Sequence, residues 1–186
     1  MNNLKREHRI EFAFLCFFAY SVLGWCYEVF LEVVVYRWGF SNRGFLFGPY
    51  CPVYGFGALL LIGLLSRLQC KKILLCRVNI TPIFVFLAIM GITTAVELGT
   101  SYLLEAITGK WLWNYTSYFA NFEGRIALNP SLRFGAGGML FLYVLQPLFV
   151  RIDGMVGKRT RRVLFCICFG IMVLDFFVRI LGSHLA

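Results

Sequence analysis

Four carboxylates lie inside stretches of this chain that are otherwise apolar, and their spacing is that of a helix face. Ser21, Trp25, Glu28 and Glu32 follow one another at intervals of four, three and four residues; Thr94, Glu97, Ser101 and Glu105 do so at three, four and four. Residues so spaced stand on one side of an α-helix. Inside a bilayer an ionisable group costs roughly 2.5 to 3.5 kcal/mol on insertion scales, so each of these acids needs a partner or a task. Two chemistries fit. A carboxylate beside an arginine stays charged and meets a planar, bidentate donor. Two carboxylates brought together split their pKa values and can work as acid and base. Glu28 and Glu97 are the candidates for either role, and they would be the catalytic pair if the chain is an enzyme.

The elements that must position these acids follow from composition. The 186 residues are 60% hydrophobic and 15% charged, and several apolar runs approach the ~20 residues that cross a bilayer. The chain therefore reads as an all-α polytopic membrane protein with about five spans. Helices are expected from about Phe12 to Tyr36, Val53 to Ser66, Pro82 to Ile107, Phe134 to Val150 and Val163 to Gly182. They make one integral membrane domain over residues 1–186: a helix–loop–helix repeat at 1–66, a second at 82–150, and an additional helix at 163–182. The amino end has the outline of a secretory leader, but its apolar run continues to Tyr36, so it reads as an uncleaved first span.

Charge gives orientation. Twelve Lys and Arg fall at the amino end and in the second and fourth connections, against six elsewhere, so the amino terminus is expected in the cytoplasm and the carboxy terminus outside. The net charge of +9 is then a matter of topology, and no nucleic acid is expected as a partner. The seven cysteines show no C-x-x-C spacing, and the only histidines are His8 and His184. No metal and no cofactor are expected. A phosphate-binding G-x-x-x-x-G-K-[ST] loop is also missing from the sequence, so any ATPase must be a separate subunit.

The stretch from Asn42 to Gly57, N-R-G-F-L-F-G-P-Y-C-P-V-Y-G-F-G, is apolar yet too rich in Gly and Pro for a plain helix. Its freed backbone groups need protein or trapped water, which predicts a re-entrant or broken segment at a cavity. Asn121, Gly124-Arg125, Pro130 and Phe134 to Gly137 echo it in the second half, as in parallel repeats. At 1.5 Å per residue Glu28 lies about 24 Å along its helix from Phe12, and Glu97 about 22 Å from Pro82. Matching depths place Glu28, Glu97, Arg43 and Arg125 in one outward-facing polar pocket. Asn42, Tyr54, Tyr115 and Asn121 would supply neutral hydrogen bonds there, with Trp25, Glu105 and Trp113 alongside. Glu32 and Glu105 could also snorkel to water, and Asp175 and Arg179, four apart, should neutralise one another. The aromatic cluster around Trp111 and Trp113 reads as an interfacial belt.

One set of residues carries a family resemblance: Gly24-Trp25-x-x-Glu28, Asn42-Arg43-Gly44-Phe45-Leu46, Gly48-Pro49-x-x-Pro52-x-Tyr54-Gly55-x-Gly57, then Glu97, Glu105, Trp113-Asn114-Tyr115, Asn121 and Gly124. Over roughly residues 12 to 150 this resembles the CmpB-like family of ABC-transporter permeases, called type IV. The resemblance implies a small integral membrane protein of permease type. The chain departs from the family pattern at Asn114, where an acid is frequent, and at Arg133, where an apolar residue is usual. Asn114 removes an acidic ligand or base. Helix five falls largely outside the resemblance and reads as an added packing element.

The leading expectation is a transport component that binds a small or lipid-linked, anionic ligand in this pocket. The alternatives are an intramembrane enzyme acting on a lipid headgroup or lipid-linked precursor, and a non-catalytic assembly subunit. The partners would be membrane lipids, a second copy of the chain, or an ATPase docking on the basic connections at Arg67 to Arg77 or Arg151 to Arg162.

Overall fold

A computed structural model describes residues 2–42, 44, 46–111 and 113–183. Among them six α-helices run in order: α1 (Asn2–Phe30), α2 (Pro52–Gln69), α3 (Thr81–Thr108), α4 (Leu128–Leu140), α5 (Gln146–Met155) and α6 (Lys158–Ser183). Two π-helical turns, Leu31–Val35 and Phe141–Leu145, extend α1 and join α4 to α5. Five segments are long and apolar enough to cross a membrane: Glu7–Val35, Pro52–Gln69, Thr81–Ile107, Leu128–Met155 and Lys158–Leu181. The chain is a multi-pass helical membrane protein.

Each span is longer than the apolar runs alone suggest, because charged residues and prolines occupy the ends. Pro52 and Pro82 sit in the first turns of α2 and α3, where a missing N–H costs nothing. The fourth span starts at Leu128 rather than near Phe134, since Pro130 likewise falls in the first turn of α4. Gly109 ends α3 in the left-handed conformation, φ 67°, with its N–H on the Glu105 carbonyl at 2.8 Å.

The fourth span is not one regular helix, and the cause is Pro147. A proline inside a helix has no N–H to donate and crowds the carbonyl four residues back. The chain answers with the π-turn Phe141–Leu145, in which the Gln146 N–H reaches the Phe141 carbonyl. The Leu142 carbonyl, whose donor five residues on would be Pro147, takes the Gln69 side-chain amide instead at 2.7 Å. In lipid such a freed acceptor must find a protein donor.

Two short antiparallel hairpins complete the elements. Strands β1 (Leu74–Leu75) and β2 (Val78–Asn79) lie between α2 and α3, and β3 (Asn121–Phe122) and β4 (Ile126–Ala127) between α3 and α4.

The chain divides into two compact units, one of residues 1–60 with 148–186 and one of residues 61–147. In the first, the Gly55 backbone lies against the Phe17 carbonyl and the Ser21 hydroxyl, so closely that no Cβ would fit. Ser21 is fully buried and donates to the Phe17 carbonyl at 2.8 Å. It therefore serves helix packing rather than a polar stripe. Near the α5–α6 corner, Arg161 grips Asp153 at 2.5 Å, His8 meets the other Asp153 oxygen at 2.9 Å, and Arg162 reaches Glu7 at 2.9 Å and Glu11 at 3.0 Å. In the second unit α3 and α4 pack through Gly135, against Phe86 and Met90, and Gly138, against Ile89. Thr94 and Ser131 hydrogen-bond across this contact at 2.7 Å.

Candidate functional site

In the first unit, α1, Gly44, Leu46 and Cys51 of the irregular stretch, the start of α2, and α6 enclose an open cavity of about 690 Å³, within the size range of ligand pockets. Its walls are apolar: Phe14 and Phe17 from α1, Leu46 from the segment, Val53 and Phe56 from α2, and Phe169, Met172, Val173, Phe176 and Phe177 from α6. Among the described residues that line it, Glu28 is the only acid.

Tyr54, a turn into α2, donates its hydroxyl to Glu28 Oε1. The tyrosine ring covers Gly24, where any Cβ would strike it. The spacing Gly24-x-x-x-Glu28 thus has a physical meaning: the glycine admits the ring whose hydroxyl reaches the acid one turn on. Trp25 donates its indole N–H to Asn42 Oδ1 at 2.7 Å, and the Asn42 amide donates to the Phe47 carbonyl at 2.8 Å. Glu32 is buried and accepts from the Ser41 hydroxyl at 2.7 Å and the Ser41 N–H at 3.3 Å. It does not snorkel; it fastens the chain where α1 ends. Arg43 lies outside the described residues.

The segment is held from α6 as well. Asp175 accepts the N–H groups of Phe47 at 3.0 Å and Gly48 at 2.8 Å, and the Tyr50 hydroxyl. Burial first, then the bond to Asp175, pushes the Tyr50 phenol well above the ordinary tyrosine range. The Arg179 guanidinium sits 4.9 Å above the Phe47 ring. Local neutralisation between Asp175 and Arg179 describes this acid incompletely, for its hydrogen bonds go to the 47–50 backbone and to Tyr50. The signal was present in the sequence: Asp175 is the one acid in the last span.

The second unit has its own polar cluster, built on α3 and the 109–127 connection. Arg125 is buried, donates to Glu105 and to the Ser101 hydroxyl at 3.1 Å, and stacks with Tyr102 at 4.1 Å and Trp111 at 4.8 Å. The bond to Glu105 raises the Arg125 pKa further. Trp111 donates to Glu105 at 2.8 Å and Tyr102 to Glu123 at 2.6 Å. Arg125 thus takes Glu105, about two helical turns beyond Glu97, as its nearest carboxylate, with Glu123 at 3.5 Å. Glu97 receives the Tyr115 hydroxyl at 3.0 Å, and its second oxygen is buried with no hydrogen-bond partner among the described residues.

Trp113, Asn114 and Asn121 shape this connection. Trp113 donates to the Arg125 carbonyl at 2.9 Å, Asn114 accepts the Thr116 N–H at 2.9 Å, and the Asn121 amide donates to the Tyr118 carbonyl at 2.9 Å and the Thr116 carbonyl at 3.2 Å. Asn114 does an acceptor's work that an aspartate would also do. Among the described residues no group of three or more His, Cys, Asp or Glu is placed to hold a metal ion.

Five helices long and apolar enough to cross a membrane define the class: a polytopic membrane protein. Comparison with known families is more specific, since the pattern of the CmpB-like family, described as "Putative ABC-transporter type IV", matches residues 15–180. The chain belongs to that family. The match runs through most of α6, beyond the residues 12 to 150 that carry the resemblance by eye, so the last helix is part of the family fold rather than an addition to it. No curated protein and no solved structure matches the chain.

Proposed function

We propose that the chain is the membrane-spanning component of an ABC-type transport system and that its first unit binds a lipid-linked or amphipathic ligand. The observation that carries this reading is the cavity between α1, α2 and α6, which joins phenylalanine-rich walls to a single carboxylate, Glu28, oriented by Tyr54. Apolar walls suit a hydrocarbon chain, and the Glu28 carboxylate suits a cationic or hydrogen-bond-donating part of its head. Leu46, Cys51 and the first turns of α2 form one rim and α6 the other. The anionic head expected of the ligand would need a basic partner, for which the sequence offers Arg43. In the second unit Arg125 already has Glu105, so that cluster serves as a brace for the 109–127 connection.

In this reading the ligand side of the protein is the outer one, with the amino terminus in the cytoplasm and the 42–57 segment dipping into the membrane. Energy for transport would come from a separate ATPase. The lipid-linked character of the ligand is the part that geometry favours over a small soluble solute, because the cavity lining is almost wholly hydrocarbon.

The test is native mass spectrometry of the purified protein and two variants, Glu28→Gln and Val53→Trp, the second chosen to fill the cavity. Wild type should retain an amphipathic species that both variants lose at least fivefold while melting within a few degrees of wild type. If all three fold and carry the same bound molecules in the same amounts, the cavity is not the binding site.

A further inference from the structure

The connection between the second and third spans is a built hairpin rather than a slack loop. Strands β1 and β2 pair Leu74 with Asn79 and Leu75 with Val78, leaving Cys76 and Arg77 as a two-residue turn. Both turn residues are left-handed, φ 48° and 69°, which this tight hairpin turn requires and which Asn and Gly usually supply. The base is locked: the buried Thr81 hydroxyl donates to the Lys71 carbonyl at 3.0 Å and accepts the Ile73 N–H at 2.8 Å, and the Ile80 N–H reaches the Ile73 carbonyl at 2.9 Å.

What this hairpin displays is apolar and basic together. Leu74, Leu75 and Val78 are 64, 61 and 63% exposed. Lys71, Lys72 and Arg77 stand among them, Arg67 closes α2, and no acid occurs from Arg67 to Val96. Position adds the next constraint, because Gln69 ends one membrane span and Thr81 begins the next. The base therefore starts at the edge of the hydrocarbon. Two residue pairs and a turn reach about 10 Å at 3.3 Å per residue, against a headgroup layer of about 5 to 8 Å on each side of the core. The tip thus stays within or next to that layer.

We propose that residues 70–80 dock onto anionic lipid headgroups, with Leu74, Leu75 and Val78 entering the interfacial layer and Arg67, Lys71, Lys72 and Arg77 holding lipid phosphates. Tethering at both ends to spans favours the bilayer surface as the occupant: the basic residues are delivered to it without any cost of association. Exposed leucine and valine beside basic groups suit an interface that offers both hydrocarbon and negative charge.

The experiment uses the full chain in nanodiscs of phosphatidylcholine alone or with one-third phosphatidylglycerol. A nitroxide is placed at position 78 by Val78→Cys, with the exposed native cysteines replaced by serine. Collision with a water-soluble nickel chelate should fall at least threefold in the anionic discs, and high salt should restore it. The triple variant Lys71→Gln, Lys72→Gln, Arg77→Gln should abolish the difference. Equal accessibility in both lipids would overturn the proposal, and so would protection seen only in native membranes together with cross-linking to another protein, which would identify a protein partner instead. The salt titration on unaltered basic residues decides the matter even if the triple variant fails to fold.

Discussion

Asp175 is a single acid on the last span, yet three donors from the 47–50 stretch converge on it. Hydrogen bonds to a charged group contribute about 1.5 to 3 kcal/mol each, and a buried donor left without a partner costs about as much. Asp175→Ala should therefore loosen the segment it holds. We expect the Phe47 and Gly48 amides to exchange with solvent at least tenfold faster, read by hydrogen exchange and mass spectrometry, while amides of α3 keep their rates. Unchanged exchange at both positions would show that the segment is held by its other bonds. At this scale the sequence marked the acids as groups that need partners, because charge in a bilayer is costly wherever it falls. It did not mark which partner each would take. Glu105 rather than Glu97 receives Arg125, and Glu32 takes the Ser41 hydroxyl. Those choices depend on how the connections turn, and a one-residue change in turn geometry moves a side chain by several ångströms.

Among the elements, α3 and α4 give the sharpest test of packing. Membrane helices associate through close backbone approach at small residues, without a hydrophobic driving force. Gly138 lies directly under Ile89, whereas a Cβ at the neighbouring Gly137 would meet nothing within 4 Å. Gly138→Val should therefore destabilise the protein by about 1 to 3 kcal/mol through overpacking. Gly137→Ala should be neutral or gain roughly 0.5 to 1 kcal/mol in helix propensity. Thermal or denaturant unfolding in one detergent compares the pair, and equal losses in both would remove the close-contact assignment. The π-turn before Pro147 is an element no apolar pattern announced. Proline in a span signals a break, but whether the chain kinks, ends or widens depends on which donor is near, and here Gln69 supplies it to Leu142.

For the whole molecule, orientation is the expectation to test: five crossings would set the termini on opposite faces, and the distribution of Lys and Arg predicts a cytoplasmic amino end. Single cysteines placed by Lys72→Cys and Phe119→Cys in a cysteine-free background should report this. A membrane-impermeant maleimide added to intact cells should modify position 119 and spare position 72 until the cells are opened. Labelling of position 72 in intact cells would reverse the assignment. The number of spans, their approximate places, the family and the need to neutralise acids in the membrane were all determined by sequence, because hydrocarbon imposes them on any chain of this composition. Tertiary structure alone decided that residues 47–50 are held from α6, that Glu28 looks into an apolar cavity, and that Arg125 is closed off by Glu105, Tyr102 and Trp111. Contacts between residues distant in sequence carry no periodic signal; they exist only once helices pack and loops close.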